Sequence, residues 1–369
     1  MNRFNFIYEL QRSRHLHFSD ERDRIFAFLG HYSVRTQPPL GCGPIVFKAD
    51  YTKTVEQTYM DLAVQILEKT PDAACILLAA VQYSLQNPPR HRDMLAESDE
   101  QVSKQLTDDC KLPSWVPDWR RSEGIILAEP VCPHHAHGES TTNLELEKER
   151  LLLRLEGLRI DAIEECSQPW LSDNLYKKKT SQDPITVIEY LWHTVCKKGR
   201  FDLEEKYLNG QSSFFAFMQT LSNGCVQAAG HERRPYQEIP DTVWLAKAAA
   251  YVTDTLGVLS DDISDDIKEA AVQEKREGEH EKWSRWAASV AEGRVFARTD
   301  RWYYVLGPAA MKTGDLICVF FGAKVPFCLR PAGEKYLLVG ECYVHGLMNG
   351  EAIDMLSRQE LVEMKFEII

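Results

Sequence analysis

Long apolar runs, paired cysteine motifs and glycine-rich phosphate loops are all missing from this chain of 369 residues. No stretch approaches the roughly 18 to 20 consecutive apolar residues of a membrane-spanning helix. Met1 to Asp20 alternates charged and aromatic side chains without the apolar core of a secretory leader, so a cytoplasmic location is expected. The ten cysteines, from Cys42 to Cys342, stand singly, and no two have the spacing of a zinc or thiol-redox motif. They read as free thiols. Also missing are the Gly-x-Ser-x-Gly elbow, the His-Glu-x-x-His helix and the dinucleotide fingerprint, so neither a cofactor nor a metal is expected. A formal net charge of −12 repels phosphate backbones and anionic lipid, which argues against nucleic acid or a membrane as partner.

What is present is a globular composition, 44% hydrophobic and 27% charged, with length for about two or three cores. Helical spacing runs from Thr54 to Lys69, where Thr54 and Gln57 are placed as a capping box. A shorter helix is expected after Ser19 and Asp20, ending at Gly30. Asn87 to Lys111 is charged, contains proline and lacks periodicity, hence a loop. It leads into Leu112-Pro-Ser-Trp-Val-Pro-Asp-Trp119, whose prolines forbid a regular helix while its tryptophans require burial. An extended, anchored segment follows from that. Alternating apolar and charged residues between Leu151 and Glu164 predict a half-buried strand pair. Helices are expected at 183–199, 213–222, 241–256 and 265–291. From Val295 on, short β-rich runs separated by Gly and Pro predict a small antiparallel β-barrel or curled sheet. The expected fold is α+β, with a helical N-terminal and middle part and divisions at 1–130, 145–293 and 294–369.

Several clusters admit a chemical and a structural reading. Asp261-Asp-Ile-Ser-Asp265 has the acid spacing of a magnesium-diphosphate site, but acids at a helix start also complement its dipole. Cys132-Pro-His-His-Ala-His137 gathers ligand types too close in sequence to converge easily on one tetrahedral ion, and its polar flanks suit a surface loop. Asp118, between Trp115 and Trp119, is either a carboxyl raised in pKa by apolar neighbours or the cap of a turn. Tyr343 and His345 alternate on a predicted strand and share a face; they either line a cavity or satisfy each other. Arg22, Asp23 and Arg24 read as ion pairs clamping the first helix.

Four blocks, in order, resemble fungal heterokaryon-incompatibility (HET) proteins. They are Ser19-Asp-Glu-Arg-Asp-Arg-Ile-Phe-Ala-Phe-Leu-Gly30, Ala49-Asp-Tyr-Thr-Lys-Thr-Val-Glu-Gln-Thr-Tyr59, Leu112 to Trp119, and a tail block from Gly314 to Pro331 and Leu338 to Glu351. In full-length HET proteins a region similar to TIR signalling domains comes first. Its blocks do not precede Met1 here, so the resemblance is to the C-terminal part.

Two functional expectations follow. One is a HET-like scaffold recruited as a cofactor-independent cyclase or isomerase, of pericyclase or Diels-Alder type, acting on a hydrophobic small molecule of fungal secondary metabolism. Such chemistry needs a shaped apolar pocket and one or two hydrogen-bond donors. Its walls would be Trp115, Trp119, Trp302, Tyr303 and Tyr304, and its polar contacts Asp118, Tyr343 and His345, where residues 112–119 meet the tail. The alternative, implied by the family resemblance, is a regulatory or non-self-recognition protein that binds another protein.

Overall fold

The computed structural model describes residues 2–37, 41–89, 112–121, 125–170, 172–225, 240–275 and 280–369; the expected loop at 87–111 lies outside them from residue 90 on. Two compact units emerge, interleaved in sequence. The first comprises 1–161, 314–342 and 347–369, and the second 162–313 with 343–346.

In the first unit, helix α1 (Phe6–Arg12) starts at Asn5, whose side chain accepts the Tyr8 N–H. Helix α2 (Asp23–Phe26) is one turn, shorter than the run to Gly30 that the sequence suggests. Side chains carry this block instead of helix length. The Arg22 guanidinium donates to Asp20 and to the carbonyl oxygens of Tyr51 and Lys53 at 2.6 and 2.8 Å, and Tyr59 donates to the Glu21 carbonyl at 2.8 Å. Helix α3 (Val55–Lys69) has the predicted capping box at Thr54 and Gln57 and buries Tyr59, Leu62, Ala63, Ile66 and Leu67 on one face. Helix α4 (Ala74–Ala79) follows a short turn after Pro71.

The described strands are β1 (Leu144–Glu147), β2 (Leu152–Cys166), β3 (Val295–Thr299), β4 (Tyr304–Gly307), β5 (Leu316–Phe320), β6 (Phe327–Ala332), β7 (Lys335–Glu341), β8 (Tyr343–Val344) and β9 (Glu363–Ile368). In the first unit β5, β6, β7, β9 and β2 pair in that order, and β5 pairs with β2 as well, so the pairings return on themselves. The alternation at 151–164, expected to be a strand pair, is one long strand, with β1 its antiparallel neighbour. Gly157, midway along β2, is not a turn but the point of closest approach to β5. A Cβ there would come within 2.8 Å of Phe320 Cα and nearer still to the Val319 carbonyl oxygen. Only glycine lets the two backbones meet so closely. The β1–β2, β2–β9, β5–β6 and β6–β7 pairs are antiparallel, whereas β7 and β9 run parallel at Tyr336 and Ile368. A parallel neighbour needs a crossover, and helix α10 (Glu351–Ser357) lies on that connection. Phe320, Phe327, Tyr336 and Phe366 pack ring to ring at 5.2 to 5.6 Å.

The Pro/Trp segment docks on this sheet. Ser114 donates its N–H to the Ile369 carbonyl at 3.0 Å, and its hydroxyl donates to the same oxygen and accepts the Leu338 N–H at 2.9 Å. Trp115 donates its indole N–H to the Leu151 carbonyl at 3.0 Å. An extended segment that cannot pair with itself has found its partners there.

In the second unit the end of β2 from Ala162 pairs with β3, β3 with β4, and β4 with β8, all antiparallel. Helix α5 (Val187–Tyr190) has a Thr186/Glu189 capping box and runs into a π-helical turn, Leu191–Val195. It ends at Val195 with Cys196 as its cap, and Lys197 takes φ +52°, so the helix stops short of the expected end at residue 199. Helices α6 (Ser213–Leu221), α7 (Asp241–Leu256), α8 (Asp265–Lys275) and α9 (His280–Ala291) follow; residues 276–279 between the last two lie outside the described residues. Trp192 stacks on Phe201 at 5.0 Å and packs on Phe217 at 5.3 Å, and Phe217 meets Phe296 of β3 at 5.2 Å. Among the described residues no helix is long and apolar enough to cross a membrane.

Candidate functional site

Tyr343 and His345 stand at alternate positions of β8 and its extension, where the His345 N–H donates to the Tyr304 carbonyl at 3.1 Å. Gly346, at φ +83°, then turns the chain. The Tyr343 hydroxyl lies 3.0 Å from His345 Nδ1, and His345 Nε2 lies 2.7 Å from Gln211 Oε1. An amide oxygen only accepts, so this network places the imidazole proton on Nε2 and leaves Nδ1 to accept from Tyr343. Gln211 passes the chain on, donating to Asp241 at 3.2 Å. Behind the ring, Tyr207 donates to the His345 carbonyl at 3.2 Å and accepts the Tyr304 N–H at 2.8 Å. Burial lowers the His345 pKa to about 4, so the ring is neutral near pH 7. This is a closed polar network in which each partner is occupied by the others.

Asp118 belongs to the first unit. It accepts two bonds from the Arg120 guanidinium at 2.8 and 2.9 Å, one from Arg121 at 2.9 Å and the Arg120 N–H at 3.1 Å. Burial pushes its pKa up, but the hydrogen bonds and charges of Arg120 and Arg121 outweigh that and hold it below the usual aspartate range. Asp118 is a fixed anion at a turn. Arg120 also reaches Glu56 at the start of α3, at 2.9 Å. Trp115 and Trp119 are fully buried, Trp119 edge-on to Tyr59 at 5.2 Å. Asp23 accepts from Tyr51 at 2.5 Å, while Arg24 donates to the Arg14 and Leu16 carbonyls and pairs with Glu21, so the charged block clamps as expected.

The remaining aromatic candidates separate. Tyr303 and Tyr304 are buried in the second unit, Tyr304 against Tyr207 at 4.9 Å. Trp302 is instead 42% exposed, at the tip of the β3–β4 connection with φ +71°. Two cations lie over its ring: Arg298 at 4.2 Å and Lys198 at 5.4 Å from the centroid. Arg298 is 1% exposed, donates to the Val195 carbonyl at 3.0 Å and pairs with Glu164, while its Nη2 has no oxygen acceptor among the described residues. The sequence, which offered Trp302 as an aromatic wall of a pocket, held no sign of this pairing.

The acid and histidine clusters are engaged locally. Asp262 lies 3.4 Å from Lys179, and Asp265 lies 3.8 Å from Lys268. His137 Nδ1 lies 3.0 Å from the Ser140 carbonyl, and burial lifts the Cys132 thiol to about 12. Among the described residues no group of three or more His, Cys, Asp and Glu is placed to hold a metal ion. A cavity of about 340 Å³ in the second unit is lined by Tyr176, Lys178, Tyr251, Asp254 and Arg285 among others, a mixed polar wall.

Residues 249–363 match the Het-6 beta-barrel domain. The chain is 37% identical over 73 residues to "Heterokaryon incompatibility protein 6, OR allele" of Neurospora crassa, a stretch amounting to 19% of this chain and 11% of that relative. The chain therefore matches only about a ninth of that relative's length. No solved structure matches. These similarities overturn the expectation of a cofactor-independent cyclase, isomerase or pericyclase acting on a hydrophobic small molecule of secondary metabolism. Both point to heterokaryon-incompatibility proteins, as the alternative reading had it. The physical reason is visible in the side chains: Asp118 is neutralised by two arginines, Tyr343 and His345 are bonded to each other, and Trp115, Trp119, Tyr303 and Tyr304 serve hydrophobic cores. On these findings residues 249–363 are similar to the Het-6 beta-barrel domain, and a stretch of 73 residues is similar to a heterokaryon incompatibility protein.

Proposed function

We propose that this chain is a regulatory or non-self-recognition protein of the heterokaryon-incompatibility type, acting in the cytoplasm by binding another protein. The observation that carries this reading is the 37% identity over 73 residues to heterokaryon incompatibility protein 6. The way the chain spends its polar groups supports it. Arginines and buried histidine hold loops in fixed positions on a strand scaffold, and such rigidly held loops are what binding proteins present to partners. The test is to cross-link the tagged chain in fungal cells carrying alternative incompatibility alleles, purify the captured protein, and titrate it against the purified chain. An allele-dependent complex with Kd about 1 μM or tighter is expected. If no captured protein binds the folded chain once purified, this reading is wrong.

A further inference from the structure

We propose that Thr180 is a phosphorylation site for a serine/threonine kinase that selects basic residues ahead of its target, and that the phosphate loosens a clamp formed by Lys179. The inference stands apart from the protein-binding reading and holds whatever the chain binds. Tyr176–Ile185 is the longest unbroken exposed run among the described residues, with neither helix nor strand after Tyr176. Within it stands Lys177-Lys178-Lys179-Thr180-Ser181, a local positive charge on a chain of net charge −12. A kinase groove lined with acids is repelled by an acidic surface and attracted by this loop. The side chains also select the hydroxyl. Three and two positions ahead of Thr180, Lys177 has no ion-pair partner among the described residues, and Lys178 is 60% exposed and joined to Asp254 in a surface pair, which contributes little and exchanges readily. Ser181 would need Lys179 at the second of those positions, and Lys179 is held by two acids. Arg120-Arg121-Ser122 repeats the pattern in sequence, but there Asp118 holds both guanidiniums.

Lys179 fixes this loop within the second unit. Its N–H donates to the Thr255 carbonyl at 2.9 Å, and its ammonium bridges Glu189 and, at 3.4 Å, Asp262. The Glu189 side chain is 4% exposed and spends its other oxygen on the Thr186 N–H and hydroxyl at the start of α5. Thr180 closes a turn: its Oγ accepts the Asp183 N–H and its own N–H donates to the Asp183 carbonyl, both at 3.0 Å. In the transfer, Thr180 Oγ bonds to the γ-phosphorus of ATP, the bond from that phosphorus to ADP breaks, and the hydroxyl proton passes to the base of the kinase. The product carries a charge of about −1.5 to −2 at pH 7, one residue from Lys179. It competes for the Lys179 ammonium, while Asp183, Glu189 and Asp262 repel it. Glu189 is then a covered carboxylate short of a cation, and residues 177–186 loosen from their anchors.

The experiment incubates the full chain with MgATP and either the catalytic subunit of a cAMP-dependent protein kinase or an acid-directed kinase, and locates the phosphate by mass spectrometry. Phosphate on Thr180 is expected from the first kinase and not from the second. Thr180→Ala should abolish it. The double variant Lys177→Ala, Lys178→Ala changes exposed positions and should melt as wild type does, yet be labelled at least about tenfold more slowly. Hydrogen exchange across residues 177–186 should quicken at least about tenfold in the phosphorylated chain. A folded wild type that takes no phosphate, a phosphate on Ser181 instead, labelling by the acid-directed kinase alone, or equal labelling of the lysine variant would overturn the site. Exchange unchanged by phosphorylation would overturn the loosening of the clamp.

Discussion

Replacing Gly157 by alanine tests how the strand circuit of the first unit closes. The added methyl meets Phe320 Cα at 2.8 Å and the Val319 carbonyl oxygen more closely, against an ordinary contact of 3.4 Å or more. Both neighbours are backbone, so no side chain can swing aside, and β5 must retreat by at least about 0.6 Å, on the scale of an overpacked core. That retreat strains the Phe321 N–H to Glu156 carbonyl bond, 3.1 Å long at the same crossing. Overpacking costs about 1–3 kcal/mol and the weakened bond about 1 kcal/mol more. Alanine narrows the unfolded ensemble and returns about 0.4–1 kcal/mol. The net loss is about 1–3.5 kcal/mol, which lowers Tm by roughly 2–14 °C for a unit of this size. Calorimetry of Gly157→Ala should be read beside Gly30→Ala in the same unit, where a methyl meets nothing within 4 Å. Melting of the two variants within about 2 °C of each other would refute the close-approach argument.

His345 has a folded pKa of about 4, below its unfolded value of about 6.5, so its contribution is complete above pH 6.5 and lost as pH falls toward 4. Urea midpoints should show about 2–4 kcal/mol of acid destabilisation over that window, flattened in His345→Gln; an unchanged profile would contradict the burial argument. Asp118→Asn takes the carboxylate from Arg121, leaves Arg120 with Glu56 alone, and should cost about 1–3 kcal/mol at pH 7. Because the folded Asp118 pKa is depressed, that difference should shrink on acidification below about pH 4, and a pH-independent difference would argue against the ion pairs. Residues 294–369 expressed alone lack β2, which pairs with β3, β5 and β9, so they should not melt cooperatively; a soluble, cooperatively melting monomer would refute this.

Local chemistry made part of this structure legible without coordinates. The α3 capping box needs only Thr54 and Gln57 at the right spacing, and the β-rich tail announces itself through short runs such as Leu316–Phe320 and Phe327–Ala332 between turns. The prolines and tryptophans of residues 112–119 dictated an extended segment that must dock. Tyr343 and His345 could be placed on one face, because a strand repeats every second residue. Strand β9 was legible in principle through Met364, Phe366 and Ile368 at alternate positions, but its charged companions mask a short signal. What the tertiary structure alone decided is which groups meet. Periodicity tells which face of an element is buried and is silent about what buries it. The roles of Gln211 beneath His345, of Gly157 beneath β5 and of two arginines around Asp118 depend on segments brought together by the whole packing. Trp302 shows the same limit most plainly: the sequence offered it as a wall of an apolar pocket, and the fold leaves it 42% exposed with Arg298 and Lys198, from segments far apart in the chain, over its ring.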